Sequence, residues 1–139
     1  MDARKRRGFT LIELLIVVVI LGVLAALSIP KFSGTRARAQ ITAMMADLRN
    51  LSLAQDLYHE DPDNAFAYAA DVSDLPEHGT SDGIAIAILE ATTSGWSARA
   101  THPGLPDHEC VVYYGDAAPI ATTAGLTPAG AGAIACDAF

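Results

Sequence analysis

The stretch Phe9-Thr-Leu-Ile-Glu-Leu-Leu-Ile-Val-Val-Val-Ile-Leu-Gly-Val-Leu-Ala-Ala-Leu-Ser-Ile29, closed by Pro30, decides how this chain is read. It is almost wholly apolar, and as a helix it would rise about 31 Å, close to the hydrocarbon thickness of a bilayer. Arg4, Lys5, Arg6 and Arg7 lie just before it. Basic residues on that side predict that the N-terminal end stays cytoplasmic and that the rest lies outside the inner membrane. A core helix of a soluble protein would have to be apolar on every face, which a chain of 139 residues could scarcely cover. A secretory signal peptide shares the charged start. It would be shorter, would carry a small-residue cleavage site, and would have no use for Glu13, since a carboxylate near the bilayer centre costs about 2.5–3.5 kcal/mol.

Composition narrows the remaining choices. The chain is 51% hydrophobic and 18% charged, too apolar for a disordered segment. Its net charge of −7 argues against nucleic acid as the main partner. The charge is also polarised. Beyond Asn50 there are thirteen acidic residues against one base, Arg99.

Arg7-Gly8-Phe9-Thr10-Leu11-Ile12-Glu13-Leu14 resembles the processing site of type IV pilins and of the pseudopilins of type II secretion, with a short leader of the type IVa kind. The resemblance covers about 30 residues, through the apolar helix to Pro30. It implies that a prepilin peptidase cuts between Gly8 and Phe9 and methylates the new amine of Phe9. Residues 1–8 would be a leader, 9–30 a transmembrane and filament-core helix, and 31–139 a helix continuation with an extracytoplasmic head. Removing the leader takes away four bases and leaves the apolar surface intact. The Phe9 amine then stands one helical turn from Glu13, close enough for an intramolecular pair. The resemblance implies instead that Glu13 neutralises the amine of a neighbouring subunit, and that Gly22 to Pro30 loosens on assembly. Proline in a helix also predicts a kink by itself.

After Pro30 the pattern turns amphipathic. Ala37, Ile41, Met44, Leu48 and Leu51 fall at intervals of four and three, with Arg36, Arg38, Gln40, Asp47 and Arg49 on the wetter sides. This predicts a helix to about Tyr58, ended by His59-Glu-Asp-Pro-Asp-Asn64. The segment 61–83 reads as a loop with at most a helical turn near Ala65 to Ala70. Three strands are predicted, Ile84–Leu89, Trp96–His102 and Cys110–Tyr114, with turns at Ser94-Gly95 and Pro103-Gly-Leu-Pro106. The expected fold class is therefore α+β and type IV pilin-like. A long N-terminal helix would have its apolar half protruding and its second half packed on a small antiparallel sheet.

Cys110 and Cys136 fall in the part expected to be extracytoplasmic, where disulfides persist. Two free thiols are the alternative. The resemblance implies a bridge, because many pilins close a C-terminal loop this way, whereas major pseudopilins more often use calcium there.

His102, Asp107, His108 and Glu109 lack zinc spacing, Asp61-Pro-Asp-Asn64 lacks the glycine and glutamate of an EF-hand loop, and the carboxylates read as a solvated acidic face. Met44 and Met45 read as core. Asn50-Leu-Ser52 is a glycosylation sequon placed mid-helix. No nucleophile-and-base constellation stands out, so no enzyme, no metal and no cofactor are expected. The resemblance implies a homopolymeric filament, at the inner membrane before assembly and at the cell surface after it. Its partners would be the prepilin peptidase and an inner-membrane assembly platform with its motor ATPase. A pseudopilin or minor pilin is the near alternative, and an uncut, signal-anchored binding domain the distant one. The resemblance implies a filament of a kind that serves adhesion, twitching motility, DNA uptake, secretion or electron conduction, and the wide spread of Phe9, Phe32 and the tyrosines speaks against conduction.

Overall fold

The computed structural model describes residues 8–75 and 78–138, without the side chains of residues 29–33. Helix α1 (Leu11–Glu60) ends within two residues of the expected stop. The chain divides between Arg36 and Ala37 into two units.

In the first unit the apolar residues of α1 find no cover of their own. Leu11–Ser28 is long and apolar enough to cross a membrane, and its aliphatic side chains from Leu11 to Leu27 are exposed on all sides. Ser28 turns its hydroxyl back to the Leu24 carbonyl at 2.8 Å, so this polar side chain costs the helix little. The kink or melting expected between Gly22 and Pro30 falls partly on residues 29–33, whose side chains lie outside the described residues. The leader, residues 1–7, lies outside them as well.

In the second unit the periodic face of α1 builds the core. Met44, Leu48, Leu51 and Gln55 are fully buried, and Ala37 and Ile41 are packed against the same cluster. Opposite them stands a four-stranded antiparallel sheet ordered β1 (Ala85–Ala91), β2 (Gly95–Thr101), β3 (Glu109–Gly115) and β4 (Ile134–Cys136). Side chains alternate across a strand, so Trp96, Ala98 and Ala100 share one face, paired with Tyr114, Val112 and Cys110 of β3. That face joins the core, and Trp96 stacks on Tyr114 at 4.8 Å between ring centroids. The small alanines between them leave room for the large helix side chains, which is the interdigitation a tight core needs. The register slips between Ile88 and Glu90, a bulge that leaves Leu89 half-exposed on the edge strand.

The three expected strands are present with ends shifted by one or two residues, and β4 was not foreseen. It has only three residues, too few to show a period. Pairing with β3 defines it. The connection 61–83 holds two 3-10 turns, Pro62–Asn64 and Val72–Asp74, capped by the carboxylates of Asp61 and Asp71. They stand on either side of the helical turn expected at 65–70, where Ala65 and Phe66 take positive φ instead. At the end of β3, where it lies opposite the start of β2, Gly115 has φ 62°, and a Cβ there would meet the Ser94 carbonyl oxygen at 1.8 Å, so only glycine fits.

The solvated acidic face needs correction. Asp47, Glu109 and Asp137 are buried, each satisfied from within its own unit. Asp47 accepts from the Ser81 amide at 2.7 Å and its hydroxyl at 2.9 Å, tying the 61–83 loop to α1. Glu109 pairs with Arg99 at 3.1 Å, diagonally across β2 and β3. Buried carboxylates persist only when paired or hydrogen-bonded, and these are.

Candidate functional site: the helix N-terminus and the closed C-terminal loop

Gly8, Phe9 and Thr10 precede the first helical residue, and all three are exposed. A scissile bond between Gly8 and Phe9 would therefore sit in exposed chain outside the helix, and a Cβ at Gly8 would meet nothing within 4 Å among the described residues. Four residues on, Glu13 is held by Thr10. The Thr10 amide and hydroxyl both donate to Glu13 Oε2 at 2.8 Å, and the Glu13 amide donates to Thr10 Oγ1 at 3.3 Å. This reciprocal arrangement is a capping box, with Thr10 as N-cap and Glu13 at the third helical position. It satisfies amide donors that a helix start leaves open.

Thr10 was not among the residues singled out from the sequence. Its signal is the Thr-x-x-Glu spacing of Thr10 and Glu13, a helix-start signature overshadowed by the interest of Glu13 alone. The box gives Glu13 a partner within its own chain, distinct from the Phe9 amine.

At the other end, Cys110 and Cys136 form a disulfide and stand opposite each other on β3 and β4. The next residue extends the pairing by side chain. Asp137 donates its amide to the Glu109 carbonyl at 3.0 Å and accepts from the Glu109 amide at 3.3 Å. The same carboxylate accepts from the Thr122 hydroxyl and from the Ala124 amide. Thr122 in turn takes the Leu126 amide on its Oγ1 and gives its own amide to the Leu126 carbonyl. One buried acid thus fixes a tail whose Ala/Gly/Thr composition carries no pattern.

The other tempting groups are occupied locally. His102 accepts the Gly104 amide at 2.9 Å on Nδ1, and its Nε2 lies 3.3 Å from the side-chain amide nitrogen of Gln40. Among the described residues no three His, Cys, Asp or Glu side chains are grouped as metal ligands. His78 has its pKa lowered by burial, opposed by the charge of Asp47. The Tyr68 hydroxyl is pushed up by burial and then by Asp56. Tyr68 stacks on His59 at 4.3 Å.

Residues 3–29 match the prokaryotic N-terminal methylation motif. The type IV wide pilus major component PilA4 of Thermus thermophilus is 34% identical over 101 residues, covering 73% of this chain and 77% of that protein. The type IV major pilin protein PilA of Myxococcus xanthus is 39% identical over 79 residues, 57% of this chain. Type II secretion system core protein G of Pseudomonas aeruginosa is 43% identical over 68 residues, 49% of this chain. The chain spans only 36% and 46% of the lengths of these last two relatives. It belongs to the type IV pilin and pseudopilin family.

Proposed function

We propose that the chain is the structural subunit of a type IV pilus-like filament, with no enzymatic role of its own. A prepilin peptidase cuts after Gly8, the Phe9 amine is methylated, and the apolar helix 9–30 moves from the inner membrane into a filament core. Burial of the exposed aliphatic surface against other copies drives this transfer. Residues 31–139 lie outside the membrane, and the partners are an inner-membrane assembly platform and its motor ATPase. Glu13 meets the Phe9 amine of a neighbouring copy.

The observation that carries this reading is the methylation motif over residues 3–29, with Gly8 and Phe9 in exposed chain before a capped helix. The likeness to core protein G favours a second reading, a secretion pseudopilin. The covalent closure of the last loop supports the pilin. Intact mass of the chain from sheared surface filaments, beside that from membranes, tests both. A filament species starting at methylated Phe9 and two hydrogens light for the disulfide is expected. A processed species confined to membranes would favour the pseudopilin, and an uncut chain would overturn both.

A further inference from the structure

The outer side of α1 within the second unit changes chemistry along its length. Arg38 and Arg49 are eleven residues apart, about three turns, and so share one face; Glu60 repeats the interval with the opposite sign. Both arginines are exposed, and neither makes an ion pair among the described residues. On the same side Leu53 and Leu57 are 64% and 67% exposed. They open into a groove of about 480 Å³ floored by Leu53, Ala54, Leu57 and Leu75, with Asp61 and Asp74 on its rim. Arg99, the one lysine or arginine beyond Asn50, is taken by Glu109, so no lysine or arginine of that region is left to serve the rim.

We propose that this groove receives Arg38 of a second copy of the chain. An apolar floor with an acidic rim suits an arginine side chain, whose stem packs on hydrocarbon while its planar guanidinium forks onto carboxylates. The two copies run parallel, offset by about 22 residues or roughly 33 Å along α1. That offset brings Arg38 level with Glu60 and Asp61. An offset of half that size would set Arg38 beside Arg49, like charge against like.

The contact rests on the filament reading, and chemistry separates their failures. Lys5 and Lys31 are the only lysines in the sequence. Arg38→Lys keeps the charge and supplies an amine that a carbodiimide couples only to a touching carboxylate. Filaments of that variant, treated and digested, are expected to yield a peptide joining position 38 of one copy to Glu60, Asp61 or Asp74 of another. Arg49→Lys filaments are expected to lack a corresponding link. Abundant Arg38→Lys filaments without that peptide, or with position 38 coupled to other carboxylates or to another protein, would overturn the contact. Absence of filaments from the unsubstituted chain would overturn the filament reading, and the contact with it.

Discussion

The side-chain amide of Gln55 and the backbone of Ala69 are paired twice: Gln55 Nε2 donates to the Ala69 carbonyl at 2.9 Å, and the Ala69 amide donates to Gln55 Oε1 at 2.8 Å. Both residues are buried, one on α1 and the other in the loop that returns to the sheet. The glutamine thus stands in for a strand where the loop has none. Gln55→Leu keeps the volume but strands an amide and a carbonyl without water. It is expected to cost about 2–6 kcal/mol, at about 1–3 for each of the two groups left unpaired. Denaturant unfolding of the detergent-solubilised chain checks this; a loss below about 0.5 kcal/mol would mean the loop re-pairs elsewhere.

Removing the disulfide acts on the unfolded chain. Cys110 and Cys136 are 26 residues apart, so the chain-entropy relation gives about 3.5 kcal/mol for the closed loop. Cys110→Ser with Cys136→Ser is expected to lower the unfolding midpoint and to free the amides of Thr122, Ala124 and Leu126 for hydrogen exchange. Protection unchanged at those three would show that Asp137 holds the tail alone.

His78 makes stability fall on the acid side. Burial lowers its folded pKa below 6.5, so the unfolded chain takes up the proton first. Its contribution is whole above pH 6.5 and declines as pH drops from there toward the folded value, below which it changes no further. Unfolding midpoints across this window should fall with acidity, and less steeply in His78→Gln. A ring titration at or above the ordinary histidine value would contradict the direction.

Glu13 can be separated from its capping role. Glutamine also completes a capping box, so Glu13→Gln is expected to keep the helix start while losing the charge. If Glu13 meets an amine between copies, breaking that buried pair costs about 3–5 kcal/mol per subunit. Glu13→Gln and Glu13→Leu should then both be cut and methylated yet leave surface filaments reduced well beyond tenfold, as read by mass and shearing. Normal filaments from Glu13→Gln would assign the residue to capping only.

How much was legible in the sequence depended on repetition. The 4-3 spacing of Ile41, Met44, Leu48 and Leu51 and the alternation of Trp96, Ala98 and Ala100 are periodic, and both faces appear where expected. Glu13 stood out because a carboxylate in an apolar run is costly, and Gly8 and Phe9 through the family resemblance of the residues around it. What stayed hidden was set by single long-range partners. Asp47 looks like a wet helix position until Ser81, 34 residues on, supplies two donors. Asp137 gives no local sign of burial, because Glu109 and Thr122 complete it from distant parts of the chain. The three residues of β4 have no period at all and exist through their partner.

Because α1 and β1 to β3 precede β4, a chain emerging N-terminus first can pack its helix onto three strands while the outer edge of β3 is still bare. That edge is a template for foreign strands until residues 134–136 arrive. Oxidation of Cys110 with Cys136 then turns a reversible strand docking into a latch. The state of that one bond reports, for each molecule, whether the last strand is locked onto the sheet.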